Sequence, residues 1–416
     1  MKRISTNMPN LDMSYHMRLR EWKMNELQNK MASQTRIKNL RDDPIAAGHA
    51  VRFQSKLVRL ERFSQNISAI RGEMALVEGN LRSGLDILQR VRELSVQGAN
   101  GIYDQSQMAF MGQEVDQLLT ELIGLANARA GNGDFLFSGF RSKIEPFRIY
   151  TSRVEDGPGG EVISQVEYVG DIGVNQAEIS ENAEIGYRLP GNHAFWAERQ
   201  QIYSAVDASA YRVQQNSGIR LDGVEIELKE GDNVHAIISK INESGAPLKA
   251  KLDPVKASLV LESTFAHQIW PEDVGEGTVL QDLGIVSPGT SSPPLNTADT
   301  ASVFGGSVFD MIIHLRNGLY QGDLKVIGGS GLRGVDNAIE SLTARLAEIG
   351  SRDARLEHTS QRLDYEEPEY TRLLSTETDL DLAEAVTNLK MLEYTHKAAL
   401  ATAARVIQPT LLDFLR

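Results

Sequence analysis

PIAAGHAVRFQSKLVRLERFSQNISAIRGEMALVEGNLRSGLDILQRVRELSVQ, residues 44–97, decides the fold. Within it Leu60, Phe63, Ile67, Ile70, Met74, Val77, Leu81, Gly84, Leu88 and Val91 follow one another at alternating steps of three and four, which lays a single apolar seam along a helix of coiled-coil type. Asp43 is placed to cap the first free amides, and Pro44 to fill the first helical position, where a missing N–H does no harm. Such a helix cannot cover its own seam. The rest of the chain must supply helical neighbours.

Asn100-Gly101 marks a turn and Asp104 a cap for a second helix, whose stripe is Met108, Met111, Val115, Leu118, Leu122 and Leu125. The two are expected antiparallel. Helical period returns at 308–320. After a strand-like piece at 324–327 comes a further seam of Val335, Ile339, Leu342, Leu346, Ile349, Leu356 and Leu363, the expected third partner. Glu366-Glu367 and Pro368 read as a solvated bend.

The two extremities carry more apolar surface than one pairing can hide. Residues 1–31 bear two stripes, Ile4, Met8, Leu11, Tyr15 and Trp22 on one line and Met13, Met17, Met24, Leu27 and Met31 on the other. Past a polar linker at 32–42 the long helix begins. At the far end, Thr378 and Asp381 have capping-box spacing, and the closing helix shows Leu382, Val386, Leu389, Leu392, Ala399, Ala403 and Val406. Pro409 bends or restarts it before Leu411, Leu412, Phe414 and Leu415. An apolar concentration at a terminus implies docking. The candidate assembly interface is therefore Ile4, Leu11, Tyr15, Trp22, Leu382, Val386, Leu389, Leu392, Leu411, Leu412, Phe414 and Leu415.

Between the helical arms the period shifts toward two. A strand is expected at 162–169, a helix-like break at 195–206, and a hairpin at 218–228 around Asp222-Gly223. A short helix at 233–241 and a strand at 257–261 should follow, with a proline-bearing loop at 287–300. The fold class is mainly α with a β-rich inserted domain, the N- and C-terminal helices pairing into coiled-coil assembly and rod domains. The expected layout is an assembly helix at 1–38, a helical hairpin of the rod at 39–138, the outer insert at 139–305, the returning rod helix at 306–374 and the second assembly helix at 375–416.

No chemistry emerges from the motifs, so an enzyme is not expected. A net charge of −13 over 416 residues argues against gripping nucleic acid, and the absence of cysteine removes disulfides, thiolate metal sites and thiol nucleophiles. Gly329-Ser330-Gly331-Leu332-Arg333-Gly334 fits G-x-G-x-x-G, yet one helical pattern simply continues to Leu363, without the second strand and terminal acid of a dinucleotide site. It reads as a helix entry. The eight histidines lack metal-ligand spacing, and Asp379 and Asp381 lack the glycine of a calcium loop, Glu384 standing in its place. No cofactor or metal is expected. Asn66-Ile67-Ser68 is a sequon caught within the seam. No run is apolar enough to span a membrane, and Lys2-Arg3 is followed by polar residues instead of a signal-peptide core, so any export is expected to use a dedicated system.

Arg36-Ile37, the run Asp42-Asp43-Pro44-Ile45-Ala46-Ala47, the run Arg92-Glu93-Leu94-Ser95-Val96-Gln97 and Ala99-Asn100-Gly101 together resemble the amino-terminal domain of bacterial flagellins and their junction relatives. Gly133-Asp134-Phe135-Leu136-Phe137-Ser138-Gly139-Phe140-Arg141, Glu145-Pro146-Phe147 and the ending Ala404-Arg405-Val406-Ile407-Gln408-Pro409-Thr410-Leu411-Leu412 are similar to the flagellar hook-associated protein 3 family, the hook-filament junction proteins. Leu221-Asp222-Gly223 through Ile241-Asn242, with 280–285, is similar to the insertion motif of flagellins and hook-associated proteins. The resemblance implies a structural subunit, exported unfolded with a flagellar export chaperone as partner before assembly. It implies a ring of copies between hook-associated protein 1 and flagellin, outside the cell or in the periplasm if the flagella are internal. Filament flagellin itself is the alternative.

Overall fold

A computed structural model describes residues 8–153, 160–275, 277–289, 293 and 295–406. The chain divides into two compact units, Met1–Gln65 with Thr359–Arg416, and Asn66–His358. At the amino end lie α1 (Met8–Ser33), α2 (Pro44–Ala99) and α3 (Gln105–Ala126). The start of α2 is set as its sequence dictates: the Ala46 N–H donates to Asp43 Oδ1 at 3.0 Å, and Pro44 opens the first turn. All ten seam residues from Leu60 to Val91 are buried. Gly101 takes the turn (φ 66°), and α3 begins in a capping box in which the Gln107 N–H donates to Asp104 Oδ1 and the Asp104 N–H donates back to the Gln107 side chain.

The insert follows. β1 (Phe147–Arg153) pairs antiparallel with β2 (Glu161–Tyr168) across a bulge at Tyr150/Thr151. β3 (Gln176–Ser180) and β4 (Ala183–Gly186) form a hairpin, followed by the single turn α4 (Gly191–Ala194). Next come β5 (Gln201–Tyr203), β6 (Ser217–Leu221), β7 (Val224–Leu228), α5 (Val234–Glu243), β8 (Leu248–Leu252), β9 (Leu259–Ser263), β10 (Pro271–Val274), α6 (Val279–Asp282) and β11 (Ser302–Phe304). They build an antiparallel three-stranded sheet in the order β10-β6-β7 and a four-stranded one in the order β11-β5-β9-β8. Ile219, Ile226, Ile237, Ile241, Leu248 and Leu261 belong to their shared core.

Local chemistry explains what was and was not foreseen in this region. Asp222 and Gly223 both take positive φ (50° and 82°), as a tight hairpin turn demands, and the Asn233 side chain accepts from the Ala236 N–H to start α5. The helix-like break expected at 195–206 is instead a non-helical stretch, which follows the single turn α4 and contains the strand β5, whose Ile202 is buried between β9 and β11. The strand expected at 257–261 begins two residues later, because Ala257 sits at φ 48°, a conformation no strand holds.

The returning arm starts with α7 (Val308–Gln321), capped by a reciprocal Ser307–Asp310 box and closed by left-handed Gly322. The strand-like piece expected at 324–327 is helical. Asp323 Oδ1 accepts from the Lys325 and Val326 N–H groups, turning the chain into a π-helix (Val326–Gly331) that runs into α8 (Leu332–Thr378). The last two glycines of the G-x-G-x-x-G motif serve packing, whereas Gly329 faces open space. A Cβ on Gly331 would meet the Val326 carbonyl at 2.9 Å, and one on Gly334 the Met311 sulfur at 2.6 Å. Nor does Pro368 bend the chain out of its helix. It lies on the exposed face of α8, where water can take the carbonyl left without a donor. The chain closes with α9 (Leu382–Val406).

Within Asn66–His358, rising residues of α2 meet falling residues of both α3 and α8. Arg90 pairs with Glu114 (2.7 Å), Arg92 with Asp336 (2.6 Å) and Arg71 with Asp353 (3.0 Å). Where the three helices converge, a Cβ on Gly84 would stand 3.1 Å from Leu122 Cδ1 and 3.4 Å from Leu342 Cδ2. That explains a glycine in the middle of a seam. The buried face of α3 is broader than its predicted stripe: Leu119 and Ile123 are buried, whereas Leu118 and Leu125 are only half-buried. The cause is α7, which also packs on α3, with Tyr320 against Gly112 and Arg316 paired to Asp116.

Candidate assembly surface

In the unit that joins the two extremities, α1 packs antiparallel on α9, Arg20 Nη1 donating to the Thr395 carbonyl at 3.1 Å. The facing seam of α1 is Met13, Met17, Arg20, Met24, Leu27 and Met31, all half-buried. That of α9 is Ala385, Leu389, Leu392, His396, Ala399 and Ala403, buried or half-buried. Both step by three and four. The methionine stripe of α1 is thus the one that α9 occupies.

The other stripe is left open. Leu11, Tyr15 and Trp22 are 67, 59 and 61% exposed. On α9, Leu389 and Leu392 face α1, whereas Leu382 and Val386 point outward with Met391 and Tyr394. Ile4, Leu411, Leu412, Phe414 and Leu415 lie outside the described residues. Ala385, His396 and Arg20 carry little or no hydropathic signal, but the three-and-four stepping through 385–403 would have found the α9 positions. Leu40, 73% exposed beside the Trp22 side of α1, adds to the open surface, and both residues line a groove of ≈ 970 Å³ with Lys38 and Arg41.

The crossover between the long and terminal helices is hydrogen-bonded. α1 ends where Gln34 turns left-handed (φ 56°), the Arg36 N–H donates to the Thr378 carbonyl (2.7 Å) and the Leu380 N–H to that of Gln34 (3.0 Å). Arg36 Nη2 donates to the Glu377 carbonyl and Nη1 to Asp43. The Ala46 N–H, and then Arg36, hold the Asp43 carboxyl below its ordinary value. The capping spacing at Thr378 has a different outcome from the one expected. Thr378 still belongs to α8 and donates to the Leu374 carbonyl, while Asp381 caps α9 by accepting from the Ala383 and Glu384 N–H groups.

The other unit anchors the insert to its helices through the motif at 133–147. Phe137, Phe147, Phe195 and Phe309 pack ring against ring, edge to face except for the stacked Phe195–Phe309 pair, with centroids 5.1–5.6 Å apart, joining that motif to the end of α4 and to α7. Gly139 needs to be glycine: at φ 69° its Cβ would fall 2.1 Å from Asp171 Oδ1. Beside this cluster, the His193 ring packs on Phe265 and His267, and the Arg345 guanidinium lies 4.9 Å from the Phe265 ring. His267 Nε2 stands 3.0 Å from Asp222 Oδ2, tying the hairpin turn to the same site.

Burial, with the charges of His267, Arg345 and Arg352 acting the same way, lowers His193 from 6.5 to about 3. Its depressed value makes the folded chain refuse a proton that the unfolded chain accepts. The sign follows: this contribution to stability is intact above the unfolded value and drains as pH falls toward the folded one, by up to ~1.4 kcal/mol per pH unit. Urea denaturation should show the midpoint of the parent falling from pH 7 to pH 5 more steeply than that of His193→Phe. Parallel pH profiles would refute the assignment.

Three family models match. The bacterial flagellin N-terminal helical region covers residues 4–142, the flagellin hook IN motif 213–264, and the bacterial flagellin C-terminal helical region 332–415. A flagellin of Treponema pallidum is 33% identical over 116 residues, 28% of this chain and 41% of that protein. Flagellar hook-associated protein 3 of Escherichia coli is 27% identical over 118 residues, 28% of this chain and 37% of that one. The matched stretches thus span about two fifths of the length of these relatives. Polar flagellin F of Vibrio parahaemolyticus is 23% identical over 93% of this chain and 91% of its own. The crystal structure of flagellar hook-associated protein 3 from Legionella pneumophila aligns at 16% identity with a TM-score of 0.46, over 78% of this chain and 97% of that one.

Proposed function

We propose that this chain, which belongs to the structural, non-enzymatic family of bacterial flagellins and flagellin-like hook-associated proteins, is the flagellar subunit that joins hook to filament. The observation that carries an assembly role is the open stripe of Leu11, Tyr15 and Trp22. α9 already occupies the opposite face of α1, so these large side chains have no cover within the described chain. Neighbouring copies in a ring cover them, with hook-associated protein 1 on one side and flagellin on the other. The chain reaches that place by flagellar export with a chaperone, outside the cell or in the periplasm of an organism with internal flagella.

Support for the junction over the filament comes from residues 133–147, which the fold uses to lock the insert to α7, and from relatives named hook-associated protein 3. The full-length likeness to a polar flagellin keeps filament flagellin as the second reading. Electron microscopy of cells lacking the gene separates the two. The junction reading expects intact hooks, no attached filament and flagellin monomers in the medium. Loss of the bulk flagellin band itself would identify the filament protein instead.

A further inference from the structure

Six of the chain's eleven methionines fall within its first 31 residues, and neither the fold nor the proposed function explains that choice over leucine. Met13, Met17, Met24 and Met31 fill four of the six seam positions by which α1 meets α9. They are half-buried, so each thioether is committed to packing and still within reach of a small solute. The seam is also incompletely closed. A groove of ≈ 680 Å³ runs between the helices with Met13 and Met17 on one wall and Ala398 and Ala399 on the other. Small residues on α9 leave the two sulfurs accessible where bulkier ones would have covered them.

We propose that Met13 and Met17 form an oxidation site, through which peroxides control whether the terminal helix pair can assemble. This deepens the assembly role and rests on it. A sulfur lone pair attacks one peroxide oxygen, the S–O bond forms as the O–O bond breaks, and water or an alcohol leaves. The sulfur loses two electrons and the peroxide gains them. The sulfoxide is a strong acceptor and bulkier than the thioether, on a wall that faces Ala398 and Ala399 and where Arg20 Nη1 is already engaged by the Thr395 carbonyl. Close pairing of α1 with α9 must then strip water from that oxygen and make room for it, which weakens the seam. A methionine sulfoxide reductase, with a dithiol as reductant, restores the thioether and the seam.

The test treats the full-length chain with hydrogen peroxide, maps sulfoxides by mass spectrometry, and measures incorporation into flagella of cells lacking the gene. Met13 and Met17 should oxidise ahead of Met74, which is 2% exposed, and incorporation should fall by roughly tenfold or more. Reductase treatment should restore it. The double variant Met13→Leu/Met17→Leu should incorporate like the untreated parent, both before and after peroxide. Oxidised chain that incorporates normally overturns the proposal, as does a leucine variant that is equally sensitive or a Met74 that reacts first. Untreated parent that enters no flagellum would instead bring down the assembly role, and the oxidation site with it.

Discussion

Replacing Leu11, Tyr15 and Trp22 together by serine should abolish incorporation of the chain into flagella while leaving its thermal unfolding unchanged. The three side chains are mostly exposed and lie on the face of α1 opposite α9, so the folded chain gains little from them. In the proposed assembly they become buried. Covering side chains of this size contributes about 1.5–3 kcal/mol each, or about 5–9 kcal/mol for the set. Even if half of that is offset by ordering at the interface, affinity falls by roughly a hundred- to a thousandfold, since each factor of ten corresponds to ~1.4 kcal/mol. Sedimentation of sheared flagella, with an antibody to the insert, reads the incorporated fraction. Circular dichroism on the purified variant reads the fold. Normal incorporation alongside a normal melt would mean that this face touches nothing, and that the assembly surface lies elsewhere.

Why that face, and not the seam beside it, could be named from sequence is a matter of side-chain size. Leu11, Tyr15 and Trp22 announce themselves, whereas the α9 seam runs through Ala385, His396, Ala399 and Ala403, whose shape matters more than their hydropathy. The result at Leu382 and Val386 is a stripe one position off: the larger neighbours drew the line, and Ala385 is the residue that packs. The long seam of α2 was legible to the last residue because a continuous three-four repeat admits one register only, and even Gly84 fitted it. The insert was less so. Its strands are three to eight residues long, and their limits are set by turns such as the one at Ala257, where a positive φ on an ordinary residue leaves no mark in composition. The π-helix at Val326–Gly331 was opaque for a related reason, since Gly331 in it and Gly334 just beyond it let Leu315 and Met311 approach, and the spacing so mimics a phosphate loop. Nor did the α3 stripe reveal its second partner. A helix flanked on two sides broadens its buried face, and the positions that gained cover, Leu119 and Ile123, became visible as core only once α7 was placed.

Arg316→Ala should destabilise the unit formed by Asn66–His358 more than any ordinary surface change. Arg316 is wholly buried on α7, its Nη1 donating to Asp116 Oδ1 of α3 at 2.5 Å and its Nη2 to Asn317 Oδ1 at 2.9 Å. It is also what stands against the charge of Asp116 beside Tyr320, whose hydroxyl is raised above its ordinary value first by burial and then by that carboxylate. Removing one partner of a buried pair costs about 3–5 kcal/mol, and the lower end applies here because the Asp116 side chain, 23% exposed, can recover water. For a unit of this size that is a fall of about 5 °C in Tm. Arg316→Lys should recover little, since one ammonium cannot reach Asp116 and Asn317 in the same fork. The reverse truncation, Asp116→Leu, should be worse than Arg316→Ala, because it strands a guanidinium with no route to solvent. Arg316→Met combined with Asp116→Leu should return close to the parent Tm, because an apolar pair of similar volume needs no desolvation of charge. Thermal melts of the four variants give the order. A double variant as unstable as Asp116→Leu alone would show that the pair acts through geometry that methionine and leucine cannot reproduce, and not through the balance of charge between α3 and α7.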